Sequence, residues 1–450
     1  MFPAGDGAAG ADNGGGGNAF SGNAIEGNDG AGGVRAATVG DDTRSCAVGG
    51  NDGDRLPRVW TRQLRRAASR RPDGVTPGTA PALHLAVATG LGSLAEASQW
   101  MSAPQSRAMA YRRHGNPTVA ELEAAIGALE GGAFVTAVGS GMAACLLAVT
   151  ALVQAGDHVV LPRNAFYETG DQLQHLSRRM GWTLQRVAAG STRAVVEAIT
   201  PRTALVLVES PANPSLDTLD LPRLAAACRS HSALLLVDNT VLTAAGQDPM
   251  SLGADLTLYS LGKHLNGHGD VMGGLLCTRN PDLHALIEDW RPLAGIGLDP
   301  HSAWLALRSL QTLHLRLQQH ARTARMIGRM LDRRHPWLHW RGAWCGPHAR
   351  INGVDASLQG GNIALMFDDA TRAACFVEAL DGIRVGPTFG ISETLVYPYG
   401  SLLDGTADDF AANALPPGLV RLAVGLEDPR DLCDELDAAL RACRRLTSAG

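Results

Sequence analysis

Long apolar runs are missing from this 450-residue chain. No uninterrupted stretch approaches the ~18–20 residues that a membrane-spanning helix needs, and no basic segment followed by an apolar one opens it. A cytoplasmic protein, neither secreted nor inserted, is the expectation. A basic excess is missing too: the formal net charge is −5, so no overall positive field draws nucleic acid or a membrane surface, and neither is expected as a partner. The eight cysteines, at positions 46, 145, 228, 277, 345, 375, 433 and 443, form no C-x-x-C pair and have no histidines at zinc spacing. They read as reduced, mostly buried thiols, with no metal expected. No internal repeat recurs at a fixed period.

What is present suffices for a large core and a smaller one, since 45% of the chain is hydrophobic, and two globular domains are the prior. Residues 1–78 form a Gly/Ala-rich, then Arg-rich extension. Its first part, to about Gly53, cannot bury enough apolar surface to offset its ordering entropy. Its arginines 62, 65, 66, 70 and 71 read as a solvated tail. Residues 79–310 read as an arm and a large domain, and 311–450 as a smaller α+β domain. Pro117 to Glu130 has proline at a helix start and apolar residues at helical spacing. Strands are expected at Ala133–Val138, His158–Leu161, Ala204–Glu209, Ala233–Asp238, Asp255–Ser260 and Gly273–Thr278, with helices at Met142–Ala155 and Leu221–Ser230. Short apolar strands alternating with helices predict a mostly parallel sheet covered on both faces. One continuous helix is expected from Trp304 to about Arg334. Strands at Asn362–Phe367, Leu395–Tyr397 and Val420–Val424 and a helix at Pro429–Arg445 follow.

Ligand sites in such sheets lie at the C-terminal strand ends, where Asp238 and Ser260 fall, with Lys263 three residues beyond. An amine for an aldehyde and a carboxylate for a pyridine nitrogen are what a pyridoxal phosphate enzyme requires. Gly139-Ser-Gly141-Met142 follows a strand and opens a helix, so its small residues and free N–H groups suit a phosphate. Tyr167 could lay its ring on the cofactor, and Asn213 could reach its rim. Arg421, on a strand with apolar neighbours, could grip a substrate carboxylate, with an ion pair to Glu427 or Asp428 as the rival. His264 and His268 lack a third ligand at metal spacing and read as local hydrogen-bonders. Glu209 reads as a residue that caps a strand end.

With these residues placed, the chain resembles the Cys/Met-metabolism group of pyridoxal phosphate enzymes, which includes cystathionine γ-synthase, cystathionine β-lyase and methionine γ-lyase. The resemblance runs in order through Tyr111-Arg-Arg113-His-Gly-Asn-Pro-Thr, Ser140-Gly-Met, Glu209-Ser-Pro-Ala-Asn-Pro, Val237-Asp-Asn-Thr, Ser260-Leu-Gly-Lys-His-Leu-Asn-Gly-His-Gly-Asp and Arg421-Leu-Ala-Val-Gly-Leu-Glu-Asp. It implies an α/β fold of the aspartate aminotransferase type (type I), with Lys263 bonding the cofactor aldehyde and Asp238 on the ring nitrogen. By the same likeness Gly141, Met142 and Ser260 hold the phosphate, Tyr167 stacks on the ring and Arg421 holds the substrate carboxylate. Tyr111 and Arg113 reach into a neighbouring subunit's site, in a dimer of dimers. Two departures stand out: Gly262 replaces the usual Thr before the lysine, and the Ser-x-Gly-Gly-x-Glu-Ser-Leu segment is here Thr388-Phe-Gly-Ile-Ser-Glu-Thr-Leu395. The resemblance implies sulfur amino-acid chemistry. Tyr167-Glu168, like the Tyr-Glu-Pro of bacterial β-lyases, tips the expectation to β-elimination of cystathionine. γ-Replacement on an O-acylhomoserine and γ-elimination are the alternatives, and a non-catalytic ligand-binding relative is the remote one.

Overall fold

The computed structural model describes residues 80–102, 110–402 and 413–446. The expected extension over residues 1–78, with its arginine cluster, lies outside them.

Helix α1 (Pro117–Leu129) begins where the Asn116 side chain accepts the N–H groups of Thr118 and Val119, and Pro117 fills a position that needs no donor. Alternating elements follow: β1 (Phe134–Val138), α2 (Gly141–Leu152), β2 (His158–Pro162), α3 (Tyr167–Met180), β3 (Thr183–Val187), α4 (Thr192–Ala198), β4 (Thr203–Glu209), α5 (Leu221–Ser230), β5 (Leu234–Asp238), β6 (Leu256–Ser260) and β7 (Gly274–Thr278). The seven strands form one sheet in the order β1-β7-β6-β5-β4-β2-β3. From β3 to β6 the neighbours are parallel, whereas β7 runs against both β1 and β6. The sheet is therefore mostly parallel, as expected. Its two faces follow the period of two along each strand. Val159, Leu161, Leu205, Leu207 and Leu236 pack on one side, and Val160, Val206, Val208, Leu235 and Val237 on the other.

Sequence reading passes over α3, β3 and α4. Helix α3 is mostly polar, and β3 is an edge strand that alternates between exposed and half-buried residues until the buried Val187, so neither presents an apolar run. The expected continuous helix over 304–334 is instead two, α7 (Pro300–Leu310) and α8 (Leu313–Arg334), preceded by α6 (Pro281–Ala294). The break has a visible cause: the Arg316 guanidinium and the Thr312 N–H both donate to the Ser309 carbonyl, at 2.9 and 3.1 Å, a carbonyl that an unbroken helix would bond to residue 313.

The second sheet holds β8 (His339–Gly342), β9 (Asn362–Met366), β10 (Arg384–Val385), β11 (Leu395–Pro398) and β12 (Leu419–Ala423), in the order β10-β11-β12-β9-β8. Helices α8, α9 (Ala370–Glu378) and α10 (Pro429–Leu446) cover it through a core that includes Ile327, Leu331, Phe376, Val420, Leu422 and Leu436. No described helix is long and apolar enough to cross a membrane. Among the described residues six cysteines are free, but Cys345 is disulfide-bonded, which corrects the expectation of reduced thiols throughout.

Candidate active site

The C-terminal ends of β4, β5 and β6 set the floor of a cavity of about 450 Å³. Glu209 and Asp238 end adjacent strands in register, so their side chains point the same way. The cavity brings together Gly141, Met142, Tyr167, Asn213, Asp238, Ser260, Lys263, Thr388 and Arg421. At one end lies the start of α2. Ser140 caps it by accepting the Ala143 N–H at 3.0 Å, and the N–H groups of Gly141 and Met142, in the first turn, have no helical partner. Close packing keeps this corner small. A Cβ on Gly141 would come within 3.2 Å of the Ser260 Cβ, and one on Gly274 would sit 2.0 Å from the Ser140 carbonyl oxygen.

Asp238 faces the cavity and accepts the Thr240 N–H at 2.9 Å. Burial raises its carboxyl above the usual range, against the lowering by its bonds to Thr240. A cation seated against it would favour the carboxylate again. Lys263 donates to the Thr388 hydroxyl at 3.0 Å and lies over the Phe389 ring, 5.2 Å from its centre. Burial, then the Arg421 charge, brings its amine down to about 8, with Glu168 acting the other way. Roughly a tenth of such an amine is the free, nucleophilic base at pH 7, far more than of an ordinary lysine.

Arg421 sits on β12, opposite Tyr397 of β11 and Ala364 of β9, and is 2% exposed. It donates to the carbonyls of Thr388 at 2.8 Å and Gly386 at 3.2 Å, to the Tyr399 hydroxyl at 3.2 Å and to the Asn213 side-chain oxygen at 3.3 Å. The rival ion pair is not formed, because Glu427 bonds the backbone and hydroxyl of Thr394 instead. The acceptors of Arg421 among the described residues are all neutral, and a buried guanidinium so held calls for an anion.

The donor set therefore fits pyridoxal phosphate: small residues and a helix start for a phosphate, a cavity-facing carboxylate for a ring nitrogen, and a lysine of lowered pKa for the aldehyde. A family model described as Cys/Met metabolism PLP-dependent enzyme matches residues 67–441. The chain belongs to this family.

Members similar to it include a cystathionine γ-synthase of Mycobacterium tuberculosis, 36% identical over 334 residues, covering 73% of this chain and 86% of that protein. A cystathionine β-lyase of Staphylococcus haemolyticus is 31% identical, covering 74% and 84%. A solved cystathionine γ-synthase from Xanthomonas oryzae in complex with cystathionine superposes with a TM-score of 0.77 at 30% identity, covering 86% of this chain and 98% of that one. The chain is thus a pyridoxal phosphate-dependent enzyme of the transsulfuration type, with the type I fold.

Within this family's pattern, Gly262 stands where Thr is usual, and packing explains it. A Cβ there would lie 2.4 Å from the Val271 carbonyl oxygen, so this backbone path admits only glycine. Tyr111 and Arg113 are not brought to Lys263. They line a separate hollow of about 250 Å³, with the Arg113 guanidinium 5.6 Å from the centre of the Tyr111 ring and donating to the Pro292 carbonyl at 3.1 Å. His268 bonds the Asn266 carbonyl and the Ser309 hydroxyl, as expected. His264 does not. Its ring nitrogens have no hydrogen-bond partner among the described residues, and it stacks on His320 and meets Phe389 edge-on, each at 5.6 Å. Burial holds it well below the usual histidine range, hence neutral. No group of three or more metal-ligating side chains occurs among the described residues.

Sequence reading gave Glu209 too little and passed over Tyr397 and Tyr399. Glu209 is 6% exposed, lines the cavity and accepts the Phe166 N–H at 3.0 Å, fixing the start of the helix that carries Tyr167. Burial, then Asp238, pushes its carboxyl well up. A usable signal for the tyrosines existed: the chain has only five, and the Tyr397-Pro-Tyr399 spacing puts two at strand period. Both line the cavity.

Proposed function

We propose that this enzyme carries out γ-replacement on an O-acylhomoserine, with cysteine as the incoming thiol and cystathionine as the product. The observation that carries the reading is the convergence in one cavity of the Lys263 amine, the Asp238 carboxylate and an Arg421 guanidinium with no acidic partner among the described residues. Similarity to two cystathionine γ-synthases, one of them solved with cystathionine, supports departure from Cγ.

Pyridoxal phosphate, when bound, supplies a sink for the electrons left on the substrate's Cα. Asp238 would keep the pyridine nitrogen protonated. The N–H groups of Gly141 and Met142 and the Ser260 hydroxyl would hold the phosphate, and Tyr167 and Asn213, which line the same cavity, would bind the ring. Arg421, whose Nε–H has no partner among the described residues, would pair with the α-carboxylate of the substrate. The Lys263 amine removes the proton at Cα, and on the γ route a second one at Cβ. Its hydrogen bond to a single hydroxyl, that of Thr388, suits a base that must serve two carbons. In this reading residues 79–310 supply the cofactor side of the site and 311–450 the carboxylate side. Tyr111 and Arg113 complete the site of a neighbouring copy within a dimer of dimers.

A second reading, β-elimination of cystathionine to homocysteine, pyruvate and ammonia, is favoured by Glu168 directly after Tyr167 and by the similarity to a β-lyase. Product analysis separates the two. Cystathionine formed from an O-acylhomoserine and cysteine supports replacement. Pyruvate and homocysteine from cystathionine alone selects β-elimination, and 2-oxobutyrate with cysteine selects γ-elimination.

A further inference from the structure

The carboxylates that line the cavity divide by depth. Glu209 and Asp238 close the floor at neighbouring strand ends. Glu168 lies in the first turn of α3, next to Tyr167, and is exposed. The cations lining the same cavity, Lys263 and Arg421, belong to its interior, where Arg421 is 2% exposed. Among the described residues of one chain, the outer part of the cavity therefore carries one acidic side chain and no lining cation, and in the proposed reading Arg113 of a neighbouring copy completes the site as a whole. The Glu168 charge is felt at the reacting centre: after burial it is the next cause that pushes the Tyr167 phenol up to about 12, and it opposes the lowering of Lys263.

Arg421 and Lys263 fix the carboxylate and amino end of an amino-acid substrate in the interior. The rest of its side chain, including whatever group leaves, has only the outer part of the cavity to occupy, beside Glu168. Like charges brought together in a partly desolvated cleft are disfavoured, and such repulsion acts on selection more than on folding.

Building on the γ-replacement reading, we propose that Glu168 sets the charge of the leaving group: esters with a neutral acyl group, such as acetyl, are accepted, and those ending in an anion, such as succinyl, are turned away. In the exchange the Cγ–O bond breaks with its electron pair leaving on acetate, the Cγ–S bond forms from cysteine, and the thiol proton is released. Nothing is oxidised or reduced. The ammonium of the incoming cysteine suits the same carboxylate.

The test measures kcat/KM of the holoenzyme for O-acetylhomoserine and O-succinylhomoserine at fixed cysteine, and takes their ratio within each variant. That ratio cancels any loss of folded protein or of Tyr167 positioning. The native enzyme is expected to prefer the acetyl ester by about tenfold or more, Glu168→Gln to reduce the ratio by about tenfold, and Glu168→Lys to reverse it. An enzyme that turns over both esters with a ratio unmoved by Glu168→Gln, or with no preference for acetyl, overturns the role of Glu168 alone. A native enzyme that consumes neither ester overturns the γ-replacement reading and this selection with it.

Discussion

Lys263 and Arg421 are cations that share a cavity, and each is held there by neutral groups. For Lys263 the consequence is a nucleophile available close to neutral pH. Since its pKa is lowered to about 8, the ammonium dominates below that pH and the free amine above it. Attachment of cofactor to the apo-protein should therefore be about tenfold slower at pH 7 than on the plateau above pH 9, as followed by absorbance. In the proposed mechanism, replacing the amine removes the base altogether. Lys263→Ala should cost several orders of magnitude in turnover of every sulfur amino acid, with circular dichroism unchanged. For Arg421 geometry matters as much as charge, because its acceptors and any bound carboxylate share one planar fork. Arg421→Lys should raise KM by about tenfold to a hundredfold with a smaller change in kcat, measured by steady-state kinetics. The outlines of this chemistry were legible in the sequence, because Lys263, Asp238 and Arg421 each interrupt an apolar pattern that gives no other reason for a charge. Glu209 was harder to see. Its importance comes from lying beside Asp238 across a strand pair, a relation that sequence spacing does not encode.

Elements follow the same division. Helix α1 and the inner strands were legible from periodicity, since buried residues repeat at 3.6 or run continuously through a covered sheet. Helix α3 and β3 were not, because one face of each is open and their composition is polar. The break between α7 and α8 escaped as well, since it depends on Arg316 reaching back to the carbonyls of His264, Leu265 and Ser309, which is a tertiary contact. The turn at Gly262 yields a prediction that runs against the family's habit. Restoring the usual residue by Gly262→Thr should destabilise the protein by about 1–3 kcal/mol through the clash with the Val271 carbonyl, seen as a lower urea midpoint. A stabilised protein with tighter cofactor binding would show that this loop can move aside.

At the scale of the molecule, Tyr111 and Arg113 lie in a hollow apart from the Lys263 cavity of their own chain. If each serves a neighbouring copy, two dead variants can rescue one another. Lys263→Ala co-expressed with Arg113→Ala should regain about a quarter of native activity, the share expected for one intact site in half of randomly paired dimers. An additive mixture with no recovery would assign both residues to their own chain.

Strand β12 lies in the middle of its sheet, between β11 and β9, yet it is the last strand of the chain and carries Arg421. A ribosome that has already delivered Asp238 and Lys263 has still to add residues 264–421 before the carboxylate side of the proposed site has its guanidinium. In the proposed mechanism the growing polypeptide thus stays silent toward free amino acids until β12 has been made.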